Sequence, residues 1–252
     1  MDLGLDGRVY VVTGGSAGLG RATAEVLVAE GARVVLSARR QEAVDRAVAD
    51  LGPERAVGVV ADNADAGTPA RLLAAARSAY DRIDGALLSV GGPRSGSVLD
   101  LPDEAWTSAL DSVFMGGLRL GRDLGRELPD GGAIAYVLSS SVKSPINGLA
   151  VSNGLRPGLA MVAKTLADEL GPRGVRVNGL MPGRIDTERV RSLDAQTGDA
   201  EAAKRAVAQA IPLRRDGQPA EFGRVAAFLL SPAASFVSGV MVPVDGGMLR
   251  TL

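Results

Sequence analysis

The chain has 252 residues, 46% of them apolar, and its 28 Lys plus Arg against 29 Asp plus Glu leave a net charge of −1. This length supports one sizeable core and the apolar content excludes a disordered chain. The balanced charge, without a long basic run, argues against nucleic acid or an anionic membrane surface as partner. With no cysteine and no histidine, disulfides, thiol nucleophiles, zinc–thiolate sites, imidazole metal ligands and Ser-His-Asp triads are all excluded, and no metal site is expected. Strands are predicted at Val9–Thr13, Arg33–Ser37, Ala56–Val60, Gly85–Ser89, Ala133–Ser139, Arg176–Leu180 and Val240–Val244. Amphipathic helical segments lie between them near 18–30, 41–51, 68–80, 103–127, 152–170 and 220–230. Strands that are nearly continuous apolar runs, alternating with helices, predict an α/β fold: a single-domain, Rossmann-type, doubly wound parallel sheet of about seven strands with helices on both faces. The longest irregular piece, about 184–212, is polar and rich in Ala, Asp and Arg, and is read as a lid over a ligand site. No window is apolar enough to cross a membrane, and Met1-Asp2-Leu3-Gly4 does not start a signal peptide, so a cytoplasmic location is expected.

The first predicted strand runs into Thr13-Gly14-Gly15-Ser16-Ala17-Gly18-Leu19-Gly20 and then a helix. A turn this tight needs residues without Cβ, and amides at the helix start can hold a pyrophosphate. Gly14, Ser16, Gly18, Leu19 and Gly20 are therefore candidate cofactor contacts. A carboxylate at the end of the second strand would favour NAD(H). Here that place reads Ala38-Arg39-Arg40, and guanidinium groups pair with a 2′-phosphate, which favours NADP(H); the alternative is two solvated arginines starting a helix. Asp62, after the third strand, either accepts from an adenine amino group or caps the next helix.

With these residues in place, the chain resembles the short-chain dehydrogenase/reductase family, particularly its 3-oxoacyl reductase-like members, over nearly its whole length. TGGSAGLG at 13–20 resembles the family's cofactor loop, and Gly91-Gly92 falls at its turn after the fourth strand. The segment Val177–Thr187, with Pro182-Gly183, resembles the stretch contacting the nicotinamide end, with Ile185 and Thr187 as contact candidates. Ser238-Gly239 and Val244-Asp245-Gly246-Gly247 match the last strand and C-terminal turn. The resemblance implies a small-molecule substrate and a homo-oligomer, tetramer or dimer, assembled through two long helices and the C-terminal region. Ala160, Met161 and Ala163 are then interface or core, Lys164 is exposed or at a subunit contact, and Trp106 is core.

The family pattern changes at the reacting centre. Its Ser, a Tyr thirteen residues later, a Lys four after the Tyr, and an Asn on an earlier helix align without gaps to Ser139, Ser152, Arg156 and Val113; its Asn-Asn-Ala-Gly turn reads Leu88-Ser89-Val90-Gly91. The three tyrosines, Tyr10, Tyr80 and Tyr136, fall in two predicted strands and at a distant helix end. A serine hydroxyl is far less acidic than a phenol and its oxygen stops roughly 4 Å short of the phenol position, so a water is needed to relay a proton. Arg156 keeps the positive charge and can still bind ribose hydroxyls, through a wider fork than lysine. Lys143, four after Ser139, either orients an anionic group or acts as an acid, or is solvated. Arg184 and Asp186 contact substrate or each other. Pro157-Gly158 predicts that the helix starts late or kinks near Ser152–Pro157. Three functions follow in order: an NADP(H)-dependent oxidoreductase on a carbonyl/hydroxyl pair with an atypical site, a non-redox enzyme (cyclase, isomerase or elimination) in the same pocket, and a non-catalytic dinucleotide-binding protein.

Overall fold

Seven parallel strands form one sheet in the order β3-β2-β1-β4-β5-β6-β7 in a computed structural model that describes residues 2–196 and 198–251. The strands are β1 (Val9–Thr13), β2 (Arg33–Ala38), β3 (Ala56–Val60), β4 (Gly85–Ser89), β5 (Ala133–Val137), β6 (Arg176–Pro182) and β7 (Met241–Val244). Their side chains alternate between two cores, as the two-residue period of a strand requires. Val9 and Val11 of β1 face a core completed by α3 (Thr68–Tyr80), α5 (Gly116–Glu127) and α6 (Ala150–Leu170). Tyr10 and Val12 face the opposite core, built with α1 (Gly18–Ala29), α2 (Gln41–Leu51) and α9 (Pro219–Leu230). The sheet winds outward in both directions from β1 and β4, which are neighbours. In such sheets the crevice for a ligand opens at the carboxyl ends of the strands at this switch point.

Three stretches differ from the sequence expectation. First, the irregular piece at 184–212 is largely helical. It forms α7 (Glu188–Ala195), whose N-cap Thr187 accepts from the Val190 amide, and α8 (Ala200–Ala210), whose N-cap Asp199 accepts from the Ala202 amide. Second, the helix expected at 103–127 divides into α4 (Asp103–Ala109), a π-helical turn at Leu110–Met115, and α5. The turn rephases the chain so that Gly116 meets Asn63, where a Cβ would sit 2.5 Å from the Asn63 carbonyl oxygen, and Gly117 meets Leu159.

Third, α6 starts at Ala150, before Ser152, and runs without interruption through Pro157. Asn153 fastens the first turn by donating to the Ile146 carbonyl and accepting from the Ile146 amide. Downstream, Leu159, Ala160, Ala163, Leu166 and Leu170 are buried. A proline inside a helix costs about 3 kcal/mol, while each buried leucine returns about 1.5–3 kcal/mol, so packing overrides the local preference. Gly154 and Gly158 sit on the face toward α4 and the π turn, where a Cβ would lie 2.9 Å from the Trp106 ring and 3.1 Å from the Phe114 ring.

The packing of α5 on β5 gives a stability prediction. Tyr136, fully buried, donates to the Gly117 carbonyl at 3.1 Å, and a Cβ on Gly121 would lie 1.7 Å from the Tyr136 hydroxyl. Glycine to alanine inside a helix ordinarily gains up to about 1 kcal/mol. Here the phenol must move and lose its acceptor, so Gly121→Ala is expected to lower the unfolding free energy by about 3 kcal/mol in urea titration.

Candidate functional site

At the end of β1 the Thr13 hydroxyl donates to the Ser89 carbonyl at 2.8 Å and accepts from the Ser89 amide at 2.9 Å, tying β1 to β4. The glycine turn follows with φ of +61° at Gly14 and +57° at Gly18, a conformation that glycine adopts at no cost. A Cβ on Gly20 would lie 2.5 Å from the Gly14 carbonyl oxygen, so α1 rests directly on the turn. The first turn of α1 carries no acidic residue and its N-cap, Ala17, offers no side-chain acceptor. Its amides and the positive end of its dipole are thus left for an anion.

Two cavities meet at this turn. One, of about 540 Å³, is lined by Gly14, Ser16, Arg39, Arg40, Asp62 and Gly91 among others. Arg39 and Arg40 are exposed, and neither has a carboxylate partner among the described residues. Asp62 accepts from the Ala64 amide at 3.0 Å, closing a local turn while still facing the cavity. The second cavity, of about 750 Å³, shares Gly14, Ser89, Gly91, Gly92 and Pro93 with the first. Its wall includes Gly18, Leu19, Ser139, Ser152, Arg156, Pro182, Gly183, Ile185 and Thr187. The candidate residues therefore converge on two joined cavities, with two exceptions. Gly20 is buried beneath the turn, and Lys143 is exposed and absent from both walls.

Ser139, Ser152 and Arg156 reach the larger cavity from the segment after β5 and from α6, and Arg184, Thr187, Glu188, Arg189 and Ser192 add polar groups from the side of α7. Ser139 caps a single 3₁₀ turn at Ser140–Val142, its Oγ accepting from the Ser141 amide at 3.1 Å. The buried Ser141 Oγ lies 3.2 Å from Ser152 Oγ, linking the two segments. Arg156, only 5% exposed, donates through its Nη atoms to the carbonyls of Val137 (2.5 Å), Val90 (3.3 Å) and Gly91 (3.5 Å). Among the described residues its Nε has no partner and no carboxylate pairs with it, and burial pulls the guanidinium down to about 10, leaving it charged at neutral pH. Val113 is buried against Val90, Ala109 and Val151, an apolar patch bordering Arg156 in sequence through Leu155.

None of the tyrosines reaches either wall. Tyr10 is buried in β1 with its hydroxyl directed to the Leu230 carbonyl, and burial raises its phenol to about 12. Burial also raises Tyr136, and the Tyr80 ring stacks under Arg33. Arg184 does not pair with Asp186. It binds Asp194 of α7 and Asp216, while Asp186 pairs with Arg191. Residues that sequence reasoning passed over are Asn63, which donates to the Ser89 carbonyl in the smaller cavity, and Ser141, in a Ser-Ser-Ser run that was a visible signal. Arg189 of α7, which donates to the Pro93 carbonyl across the cleft, carried no signal.

A family model described as enoyl-(acyl carrier protein) reductase matches residues 14–249. Dehydrogenase/reductase SDR family member 4 of Homo sapiens is 34% identical over 96% of this chain and 88% of its own length. The chain belongs to the short-chain dehydrogenase/reductase family. Among further relatives in this family, D-threitol dehydrogenase of Mycolicibacterium smegmatis is 31% identical over 98% of this chain and 94% of its own length. L-sorbose reductase of Gluconobacter frateurii, solved in complex with NADPH and L-sorbose, superposes with a TM-score of 0.94 at 31% identity, each chain fully covered. The residues present here fit such a dinucleotide. The glycine cradle that a Cβ would fill, the acid-free start of α1 and the two arginines without carboxylate partners are what a pyrophosphate and a further phosphate require. Among the described residues no helix is long and apolar enough to cross a membrane.

Proposed function

We propose that this chain is an NADP(H)-dependent oxidoreductase of a carbonyl/hydroxyl pair, working with an atypical reacting centre. The observation that carries this reading is the junction of two cavities at Gly14, Gly91 and Pro93, one bearing Arg39 and Arg40 and the other bearing Ser139 and Arg156. The smaller cavity takes the adenosine end, with Arg39 and Arg40 on a 2′-phosphate, Ser16 and the amides at Gly18–Gly20 on the phosphates, and Asp62 beside the adenine. Pro182, Gly183, Ile185 and Thr187 border the nicotinamide end. The dinucleotide, when bound, gives or takes the hydride.

The chain's own groups handle the substrate oxygen. Ser139 Oγ already accepts from the Ser141 amide, which leaves its proton to donate to a substrate carbonyl. Arg156 supplies a fixed positive charge where negative charge develops on that oxygen. Ser152, on the cavity wall and held from behind by Ser141, positions a water that passes a proton from solvent to the substrate oxygen, since the serine is not acidic enough to release one itself. The α7–α8 segment covers the cavity as a lid, and the exposed Met161 and Phe236 suit a homo-oligomer of a cytoplasmic protein.

The test of the cofactor assignment is a fluorescence titration. Each charge-assisted contact to phosphate contributes about 1.5–3 kcal/mol. Arg39→Ala is therefore expected to weaken NADPH binding by about 10–100-fold and NADH binding less than about threefold. Equal losses for the two would remove the NADP(H) assignment. A second reading, a non-redox enzyme in the same pocket, is favoured by one observation: no tyrosine reaches the wall, and the family's Asn position is a buried valine. It predicts product formation with NADPH absorbance unchanged, whereas a non-catalytic binder would titrate NADPH and turn over nothing.

A further inference from the structure

We propose that the outer part of the larger cavity is built for an extended aliphatic or alicyclic carbonyl compound, and that it rejects polyhydroxylated ones. The inference rests on the oxidoreductase reading of the inner end and adds the substrate class. The outer wall is formed by Ile146 and Leu149 from the segment leading into α6, Val190 and Leu193 of α7, Val207 of α8 and Met248 of the C-terminal segment. None of these six belongs to the hydrophobic cores, and each keeps apolar surface open, Val207 to 36%. Aliphatic side chains gathered from four separate segments onto one cavity, yet left uncovered, mark a binding surface for apolar matter.

Polar groups are distributed to match. The hydroxyls of Ser139, Ser140 and Ser152 stand at the inner end, beside Arg156, where a carbonyl would be held. On the side of α7 two hydroxyls line the cavity: Thr187, whose oxygen is engaged by the Val190 amide, and Ser192, which lies on the exposed side of the helix. The Arg184 guanidinium is engaged by Asp194 and Asp216, and Arg189 by the Pro93 carbonyl. Glu188 is exposed at the rim. No Asn, Gln, Asp or aromatic side chain lines this cavity among the described residues. A ketose or tetritol bound here would bury hydroxyls without partners, the arrangement by which sites discriminate most strongly, and it would find no ring to stack on. The relatives whose names specify L-sorbose and D-threitol thus differ from this chain in what the outer wall must recognise.

The experiment uses the full chain with saturating NADPH and two readouts. The first is NADPH oxidation with 2-alkanones from butanone to decanone, with 1-decalone, and with L-sorbose and erythrulose. The second is the shift in melting temperature that the same compounds produce, which needs no turnover. The expected result is a rise in kcat/KM of about two- to fourfold per added methylene, decalone well above either sugar, and melting shifts in the same order. Val207→Asn and Met248→Gln, each on a partly open side chain, should flatten the chain-length slope and leave the NADPH dissociation constant unchanged. Turnover or melting shifts that favour L-sorbose, or no dependence on chain length in either readout, would overturn the substrate class while leaving the redox reading standing. Melting shifts that rise with chain length without NADPH oxidation would uphold the substrate class and remove the redox reading.

Discussion

Replacing Ser139 by alanine is expected to lower kcat/KM for any accepted ketone by about 10²–10³, with NADPH affinity changed less than twofold. The magnitude is that of removing one donor aimed at a developing oxyanion, about 2.7–4 kcal/mol. The geometry explains why the loss should fall on chemistry. Ser139 Oγ accepts from the Ser141 amide at 3.1 Å, a partner that donates to it. The hydroxyl proton is consequently available to the cavity that Ser139 lines. Losing the amide contact costs the fold about 0.5–1.5 kcal/mol, a small change in melting temperature. Steady-state NADPH oxidation, NADPH titration and a thermal melt on one preparation separate these effects. Activity retained in the variant would assign the substrate oxygen to Ser140 or Ser152, which share the wall.

The strands and their parallel arrangement were legible because buried parallel strands leave continuous apolar runs, as in Val9–Thr13 and Arg33–Ala38. The glycine turn was legible because only glycine tolerates φ near +60° at Gly14 and Gly18. Where reading failed, the deciding contacts are distant in sequence. Pro157 argued for a broken helix, and the burial of Leu159 to Leu170 against the sheet outweighed it. The π turn at Leu110–Met115 reflects the approach of Gly116 to Asn63, a tertiary fact. For Lys143, four residues after Ser139 in the loop bordering the pocket, the sequence left open a role on an anionic group or as an acid and a solvated side chain. The chain there passes through a 3₁₀ turn, and Lys143 emerges exposed. Arg184 was read beside Asp186, but its partners Asp194 and Asp216 arrive from 10 and 32 residues away.

Arg156→Met is expected to cost at least 100-fold in kcat while moving the unfolding free energy by no more than about 2 kcal/mol in either direction. A buried cation is expensive to desolvate, and an apolar side chain of similar volume is often neutral or stabilising in its place. Here the cost is offset by donation to the carbonyls of Val137, Val90 and Gly91, with no carboxylate to help and Nε without a partner among the described residues. Methionine removes the desolvation penalty and leaves those carbonyls less satisfied, so the two changes oppose each other. The pH dependence follows from burial, which lowers the guanidinium from its ordinary value to about 10. Below pH 10 both folded and unfolded chains hold the proton, and the penalty is present in full. Above about pH 10 the folded chain sheds the proton before the unfolded chain does, so wild-type stability rises relative to the methionine variant as pH increases. What neither stability effect supplies is the reason for a charge at this position. Among the described residues no carboxylate pairs with this cation, and the acidic residue on the cavity wall, Glu188, is exposed at the rim, so a counter-charge beside Arg156 arrives with the reactants or develops on them. A methionine variant that melts near the wild type, binds NADPH and turns over slowly would establish that role; one that unfolds readily with kcat unchanged would make Arg156 a clamp between the ends of β4 and β5.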